Sequence, residues 1–411
     1  MKVLVSAYAC EPNCGSEPAI GWNIVEGLSG RHDLTVMTRK NNRQVILECD
    51  ETWVRKVDWV FLDPPRWLTF WKRGRSGVKL FYLIWQAMAY FKGRKLHRER
   101  SFDLVHHLTF ASIYPASPFA FLGISFVAGP LGGALEPPPA LIESLEGRIR
   151  LAVWRQKLGR KLGEWVSLAG AAYRRCSFAI GATEEAVKRL ETLGARKVRL
   201  EVQSGLSSED LATLSARPRP DRDVGEPLRV FVASRMIVWK GVDLAIEAIA
   251  KARSRGIQMT VEISETGPEE QRIRALVKRL SLEDSVTFLG RLPSHESLLE
   301  KLACADVLLH PAFSESFGQV CLESLASGLP VICLKWGGPG VLVGEDCGYP
   351  VDPGTRDEVI ERLGGALVRC LEDRNQGLPA VETLHKRAAV FQWQGLVDAV
   401  DEAYASSLCE G

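Results

Sequence analysis

Short apolar segments typical of buried strands alternate with amphipathic segments along most of this chain. The first part runs from KVLVSAY through the helix-like AIGWNIVEGLSG to DLTVMTR, and FDLVHHLTF, ISFVAGP and RCSFAIGAT follow as further strands. After the polar, proline-bearing stretch SARPRPDRDVGEP, the same alternation restarts at LRVFVASR. Strands alternating with helices predict parallel sheets covered on both faces. The restart predicts two such domains, with a ligand expected between them at the carboxyl ends of the strands.

Two glutamates flank the start of a predicted helix in the second half. The strand DVLLHPA ends near Ala312, FSES forms a turn, and FGQVCLESLASG predicts a helix that Gly328 and Pro330 end. Glu315 then precedes the helix and Glu323 lies nearly two turns inside it, with about 12 Å of helical rise between them. Because helix starts attract anions, this spacing suits a nucleotide diphospho-sugar, with hydroxyl groups at both ends and phosphates in the middle. The alternative is that Glu315 caps the helix and Glu323 is solvated.

Cations and glycines follow other predicted strands of the same half. Arg235 and Lys240, in ASRMIVWKGVDLAIEA, lie in the loop between a strand and a helix. Two cations there could neutralise a diphosphate leaving group without a metal ion, although taken alone they would be read as surface charges. Further residues at strand ends are Gly290, Arg291, Gly337, Gly338 and Pro339.

Composition and charge restrict the class of protein only broadly. The 411 residues are 46% hydrophobic and 25% charged, which is ordinary for a folded soluble protein of two domains. The net charge of +2 indicates no particular partner. Ten cysteines lie mostly in apolar runs, and Cys10 and Cys14 lack the second ligand pair of a zinc site, so no metal site is expected. The run MKVLVSAYACEPNCG is too short and too soon interrupted for a secretory signal, which favours a cytoplasmic location.

Two segments combine basic and aromatic residues. Residues 66–100 hold ten lysines and arginines against one glutamate, interleaved with tryptophan, phenylalanine and tyrosine, and residues 148–161 continue the pattern. Such a surface suits the headgroup region of an anionic membrane at its inner face. The apolar stretch LFYLIWQAMAYF is too short to span a bilayer. Alternatively the aromatic residues belong to the core and the basic residues to a solvated face. Without a recognised nucleic-acid module, nucleic-acid binding is not expected.

The order and spacing of SRMIVWKGVDLAIEA, VTFLGR, ESFGQVCLESLASGLPVI and GGPG resemble the C-terminal half of retaining glycosyltransferases of the family 4 type, the glycosyl transferases group 1. This resemblance implies the GT-B fold, an α/β architecture of two Rossmann-like α/β/α domains whose parallel sheets face each other across a central cleft. It implies an acceptor-binding domain at 1–205, joined by a C-terminal helix (386–411) that crosses back to it, and a donor-binding domain at 206–385.

The resemblance also implies roles for the residues at the strand ends. Glu315 would hold the hydroxyl groups of the donor sugar, and Glu323 those of the ribose. Arg235 and Lys240 would stabilise the departing diphosphate, and Arg291 would flank the base. The start of the helix would meet sugar and phosphate through Ser316, Phe317, Gly318, Gln319 and Val320.

In the first half, CGSEPAIGW resembles the family's glycine-rich loop, so Gly15 would let the backbone approach phosphate and acceptor. A histidine near the donor sugar should come from DLVHHLTF, where His107 is favoured over His106. One departure stands in ISETGPEEQRI, where Glu265 precedes the glycine and would repel phosphate if its side chain pointed inward.

The implied reaction is metal-independent sugar transfer, with retention, from a UDP- or GDP-sugar to a hydroxyl group of a glycan or lipid-linked acceptor. No cofactor is expected beyond this co-substrate. Two alternatives stay open: a GT-B phosphorylase, which Glu323 as a ribose ligand argues against, and a non-catalytic scaffold that binds sugar or lipid. The donor base, sugar, acceptor and oligomeric state are not determined by these patterns.

Overall fold

The computed structural model describes residues 1–12, 14, 15, 17–72, 77–133, 135–145, 147–219, 223, 225–377 and 379–408. Its strands are β1 (Lys2–Ala7), β2 (Asp33–Arg39), β3 (Asp58–Leu62), β4 (Leu104–Thr109), β5 (Ser125–Leu131), β6 (Phe178–Gly181), β7 (Val198–Leu200), β8 (Leu228–Ala233), β9 (Met259–Ser264), β10 (Val286–Gly290), β11 (Val307–His310), β12 (Val331–Leu334) and β13 (Gly348–Val351). Its helices are α1 (Glu17–Ser29), α2 (Arg43–Leu47), α3 (Val78–Arg100), α4 (Pro139–Glu143), α5 (Gly147–Val166), α6 (Ala169–Tyr173), α7 (Glu184–Thr192), α8 (Ser208–Ser215), α9 (Val242–Ser254), α10 (Glu270–Arg279), α11 (His295–Cys304), α12 (Gln319–Ala326), α13 (Gly337–Leu342), α14 (Arg356–Arg374), α15 (Val381–Ala389) and α16 (Trp393–Leu408).

Two parallel sheets organise the described residues. One has the order β3-β2-β1-β4-β5-β6-β7, and the other has the order β10-β9-β8-β11-β12-β13. Every strand pair in both sheets is parallel. The central strands are buried on both faces because helices cover them, as near-continuous apolar runs such as VLLH require. The predicted α/β class with two parallel sheets is confirmed.

The chain divides into two compact units whose limits differ from the predicted domains. The first unit comprises Met1–Ala134, Arg155–Ser204 and Trp393–Gly411, and the second comprises Leu135–Trp154 and Gly205–Gln392. Residues 135–154 were expected in the first domain, but the structure places them in the second. The physical reason is apolar packing, because Leu141, Leu145 and Ile149 join the core around α9 and α14.

The C-terminal segment forms two helices where a single helix was predicted. α15 ends at Ala389, and α16 begins at Trp393 after a short break. α16 belongs to the first unit, where Val397, Val400 and Tyr404 are part of the core around β1 and β2. The return of the C-terminal helix to the first domain is therefore confirmed.

The aromatic residues of segment 66–100 divide between the core and the surface. In α3, Tyr82 and Trp85 are fully buried, as the alternative reading expected, whereas Trp67, Phe70 and Phe91 are exposed. Residues 73–76, including two of the basic residues counted in this segment, lie outside the described residues. Across the described ranges, the helices lack the combination of length and apolar character that crossing a membrane requires.

The hydroxyl group of Tyr404 lies at one end of a buried chain of hydrogen bonds. His106 donates from Nε2 to the carbonyl oxygen of Gly129 at 2.7 Å, so its Nδ1 must accept from the Tyr404 hydroxyl, also at 2.7 Å. Because all three groups are buried, removing one partner leaves another unsatisfied.

We expect Tyr404→Phe to lower the free energy of unfolding by about 1–3 kcal/mol, the cost of an unsatisfied buried acceptor, as measured by urea denaturation. Tyr90→Phe is the matched control, because the Tyr90 hydroxyl bonds the Phe121 carbonyl at an exposed site. A Tyr404→Phe variant as stable as the Tyr90→Phe control would contradict this account of the chain.

Candidate active site

The candidate site forms where strands of the second sheet end side by side. β8 and β11 are adjacent parallel strands, so the loops that follow them leave the same edge of the sheet. The first of these loops runs from Ser234 to Gly241, and the second runs from Pro311 to Gly318. Phe313 donates its backbone N–H to the carbonyl oxygen of Trp239 at 3.1 Å, which ties the two loops together.

A glycine lets the two loops touch. Gly241 adopts φ +64°, and a Cβ atom there would lie 2.3 Å from the carbonyl oxygen of Pro311. A side chain is therefore excluded both by space and by backbone conformation. The contact places Lys240, which directly precedes Gly241, beside the second loop.

Lys240 and Glu315 form an ion pair across the two loops. Lys240 donates from Nζ to Oε2 of Glu315, and the side chains are only 23% and 20% exposed. Burial alone would raise the pKa of Glu315, but the charge and hydrogen bond of Lys240, together with neighbouring groups that include the backbone N–H of Phe317, lower the pKa below its ordinary value. The site thus holds an ionised carboxylate and a cation side by side, although the sequence assigned them to different parts of a ligand.

Two further glycines bring the segment after β12 against the Glu315 loop. Gly338 donates its backbone N–H to the carbonyl oxygen of Glu315 at 2.9 Å. A Cβ atom on Gly337, at φ +60°, would lie 2.5 Å from the same oxygen, and one on Gly338 would lie 2.2 Å from the Phe317 carbonyl oxygen. The GGPG motif therefore supports the loop by close backbone packing.

Helix α12 begins directly after the loop that carries Glu315. Gly318 precedes the helix with φ +93°, and Phe317 is buried. Ser316, Gln319 and Val320 are half-buried. Because the first backbone N–H groups of a helix have no partner within it, this end of α12 can accept negative charge.

Glu323 lies in the second turn of α12, closer to the helix start than the sequence predicted. Its side chain is buried, and its Oε1 accepts a hydrogen bond from Nε2 of His295 at 3.1 Å. His295 begins α11 after β10, and its side chain is 64% exposed. The sequence reasoning missed His295, whose signal was its place after a strand end in LPSHE.

The other two cations predicted for the site are exposed. Arg235 follows β8 and Arg291 follows β10, and neither has an ion-pair partner among the residues that the structure describes. The structure therefore brings Lys240 and Glu315 together but does not join Arg235 to them.

Glu265 contributes a backbone hydrogen bond to the turn after β9. It adopts φ +76° and donates its N–H to the carbonyl oxygen of Gly290 at 2.7 Å. Two residues on, a Cβ atom at Gly267 would lie 2.3 Å from the carbonyl oxygen of Met236. This turn therefore packs against the loop that carries Arg235.

The first unit holds the other predicted site residues. His107 is buried, and burial lowers its pKa to about 3, so the ring is neutral at pH 7. Its Nε2 lies 3.4 Å from the Tyr82 hydroxyl, and its Nδ1 has no hydrogen-bond partner within the described residues. His106 has hydrogen-bond partners for both nitrogens, whereas Nδ1 of His107 has none inside the described ranges.

Gly15 lies in an exposed loop between β1 and α1, flanked by residues 13 and 16, which are outside the described ranges. At the end of that loop, the carboxylate of Glu17 accepts the backbone N–H of Ala111. This contact ties the loop to the segment after β4, and the sequence reasoning did not single it out.

Comparison with known proteins gives a family match in the second unit. Residues 217–375 match the family model described as glycosyl transferases group 1. The putative colanic acid biosynthesis glycosyltransferase WcaL of Escherichia coli is 30% identical over 43% of this chain and 44% of its own length. A D-inositol 3-phosphate glycosyltransferase of Acidothermus cellulolyticus is 33% identical over 48% of this chain and 45% of its own length. The matches thus span somewhat less than half of these relatives.

Solved structures match over nearly the whole chain. The lipopolysaccharide outer core galactosyltransferase WaaB, in its apo form, aligns with a TM-score of 0.66 at 14% identity, covering 99% of this chain and 100% of its own. Anabaena HepE in complex with UDP aligns with a TM-score of 0.60 at 18% identity, again covering 99% and 100%. At these identities the likeness shows the fold, and the predicted GT-B fold is confirmed.

The contact between His295 and Glu323 makes part of the stability depend on pH. The hydrogen bond to Glu323 raises the pKa of His295. A raised pKa in the folded state means that protonated His295 stabilises the fold below the ordinary histidine pKa of about 6.5, and that this contribution is lost as the pH rises through the raised value.

We therefore expect His295→Asn to be more destabilising at pH 6 than at pH 9, as measured by thermal unfolding. His385→Asn is the control, because burial lowers the pKa of His385 and the pH trend should reverse. The same trend in both variants would show that His295 and Glu323 are not coupled.

Proposed function

Because residues 217–375 match the glycosyl transferases group 1 family model and the chain has a GT-B fold, we propose that this protein is a retaining, metal-independent glycosyltransferase. It moves a sugar from a nucleotide diphospho-sugar to a hydroxyl group of an acceptor. The observation that carries the proposal is the Lys240–Glu315 pair at the joined ends of β8 and β11. A cation and an ionised carboxylate in contact match the two parts of such a donor, its diphosphate and its sugar hydroxyls.

The donor lies along the start of α12. Glu315 accepts hydrogen bonds from the sugar hydroxyls, and the N–H groups around Gly318 meet the phosphates. Glu323 accepts from the ribose after His295 has turned away, which the exposure of His295 allows. Arg291, exposed after β10, flanks the base. The proposed set of donor-binding residues also includes Ser316, Phe317, Gln319 and Val320.

Lys240 and Arg235 stabilise the charge that develops on the departing diphosphate. Lys240 is held in place by Glu315, whereas Arg235 is exposed and without an ion-pair partner in the described part of the chain. Arg235 can therefore turn towards a phosphate without breaking an existing ion pair. With two cations in these roles, the proposed reaction needs no metal ion.

The transfer proceeds with retention at the anomeric carbon. The acceptor hydroxyl attacks from the side on which the diphosphate leaves, and the leaving phosphate oxygen takes the hydroxyl proton. The bond from the anomeric carbon to the phosphate oxygen breaks and a glycosidic bond forms, so the products are a nucleoside diphosphate and the glycosylated acceptor. The protein positions the reactants and stabilises charge, with Gly15 and His107 in the acceptor-binding unit.

Related proteins suggest the substrate class. WcaL is described as a putative colanic acid biosynthesis glycosyltransferase, and the HepE structure contains UDP. A UDP-sugar is therefore the first donor to test, followed by a GDP-sugar, and the proposed acceptor is a glycan or lipid-linked precursor. We propose that the protein acts on the cytoplasmic side of the cell membrane.

An exposed apolar face on α5 supports peripheral contact with an anionic membrane through residues 66–100 and 148–161. The face follows helical spacing of three and four residues, and its side chains are 53–77% exposed. Its members are Leu151, Trp154, Leu158, Leu162 and Trp165. Val153 is buried on the opposite side, and Arg150, Arg155 and Lys161 are exposed beside the face. Apolar residues flanked by cations suit an anionic lipid surface, whereas a second copy would bring like charges together.

The donor site is tested by thermal unfolding with UDP, GDP, ADP and their sugar conjugates in EDTA. We expect one nucleotide to stabilise the wild type, by about 2.7 kcal/mol at a concentration of 100 Kd, and to stabilise Glu323→Ala much less. Glu345→Ala, at an exposed glutamate paired with Lys335, should respond as the wild type does. If no nucleotide stabilises the wild type, or if stabilisation requires a divalent metal, the proposal is refuted.

The membrane contact is tested by sedimentation with vesicles of phosphatidylglycerol and phosphatidylcholine. We expect Trp154→Ser combined with Trp165→Ser to weaken binding by at least about tenfold, because burying one large apolar side chain contributes about 1.5–3 kcal/mol. Leu47→Ser changes an exposed apolar residue in α2 and should bind as the wild type does. Binding that is insensitive both to the double substitution and to the anionic lipid would contradict a role for α5.

A further inference from the structure

His310 is a buried imidazole that the donor-binding roles leave unused. It is the last residue of β11, directly before the loop that carries Glu315, and it is only 1% exposed. A buried polar group is costly unless it is hydrogen-bonded. The surroundings of its two nitrogens therefore indicate what this histidine does.

The two nitrogens of His310 face different groups. Nδ1 lies 3.3 Å from the hydroxyl oxygen of Ser234, a buried residue directly after β8. Nε2 has no hydrogen-bond partner among the described residues and lies 3.9 Å from Oε2 of Glu315. The donor–acceptor distance of a hydrogen bond is about 2.7–3.2 Å. A small side-chain movement would bring Nε2 and Oε2 within that distance.

The contacts select one tautomer. Burial, assisted by the nearby charge of Lys240, lowers the pKa of His310 to about 4, so the ring is neutral at pH 7 and carries one N–H. If that proton were on Nδ1, the lone pair of Nε2 would face the ionised carboxylate of Glu315. If Ser234 donates its hydroxyl proton to Nδ1, the N–H on Nε2 faces the carboxylate instead. The second arrangement is electrostatically attractive, and the structure assigns it to His310.

Oε2 of Glu315 is also the atom that Lys240 contacts. The inference rests on the proposed function, in which a bound diphosphate attracts Lys240 away from this oxygen. A half-buried carboxylate that loses its cation needs another donor to stay ionised and oriented. Nε2 of His310, 3.9 Å from this oxygen, is a side-chain donor within reach, in addition to the backbone N–H of Phe317 that already bonds the carboxylate.

We propose that His310 is a positioning residue for sugar transfer: it donates from Nε2 to Oε2 of Glu315 once the donor diphosphate has drawn Lys240 away. Oε1 of Glu315 then remains turned towards the hydroxyl groups of the sugar. A neutral donor suits this role because it orients the carboxylate without competing with Lys240 and Arg235 for the negative charge of the leaving group.

The test compares two substitutions of His310 in sugar transfer. His310→Leu keeps apolar volume but removes the donor, and we expect kcat to fall about tenfold to a hundredfold, the effect of one hydrogen bond to a charged group. Its affinity for UDP alone, or for GDP if that is the nucleotide bound, should change less than about twofold. His310→Gln places an amide N–H near the position of Nε2 and should recover most of the lost kcat.

A purely structural role would give a different pattern. In that case His310→Leu would weaken nucleotide binding and transfer together, and His310→Gln would not recover kcat. Either result would overturn the proposal.

A second readout does not depend on activity. In the ¹⁵N NMR spectrum of histidine-labelled protein, we expect His310 as the Nε2–H tautomer, with the Nε2 proton shifted downfield in Lys240→Met as its hydrogen bond to Glu315 forms. The Nδ1–H tautomer in a protein that transfers sugar would overturn the role of His310 alone. A wild type that transfers no sugar from any nucleotide donor would instead refute the proposed function on which this role rests.

Discussion

An ionised carboxylate in a half-buried position needs a cation, and in this protein Lys240 supplies it for Glu315. The two residues come from loops after different strands, so their contact depends on β8 and β11 lying side by side in parallel. Burial would otherwise favour the neutral carboxyl group, which carries an O–H donor in place of one acceptor site and accepts hydrogen bonds more weakly than the carboxylate. The pair therefore keeps both charges ready for a ligand that would separate them, one towards phosphate and one towards sugar.

Backbone proximity makes this pairing possible. Gly241 allows the β8 loop to approach Pro311, and Gly337 and Gly338 allow the segment after β12 to pack on the loop of Glu315. At each of these positions a Cβ atom would lie closer than 3.0 Å to a backbone oxygen, and at Gly241 and Gly337 the positive φ independently favours glycine. The glycine motifs thus shape the site through backbone packing. The positions of the loops that carry the charged side chains therefore do not depend on the ion pair alone.

The sequence predicted the parallel sheets and the placement of Glu315 at a helix start, because buried strands, amphipathic helices and glycine stops leave periodic local patterns. It did not predict that residues 135–154 pack with the second unit, since apolar contacts such as those of Ile149 depend on the tertiary arrangement. His295 and His310 were missed for a similar reason: their roles follow from contacts with Glu323 and Glu315, which are distant in the chain. A lone histidine in a sequence carries no sign of its partner.

In the proposed mechanism, Lys240 binds the diphosphate of a nucleotide donor. The most direct test is calorimetric titration of a nucleoside diphosphate and the corresponding monophosphate into the wild type, Lys240→Met and Lys251→Met, the last at an exposed lysine paired with Glu361. We expect the wild type and Lys251→Met to prefer the diphosphate by at least about tenfold, and Lys240→Met to lose most of this preference, because a charge-assisted contact contributes about 1.5–3 kcal/mol. An undiminished preference in Lys240→Met would contradict the claim.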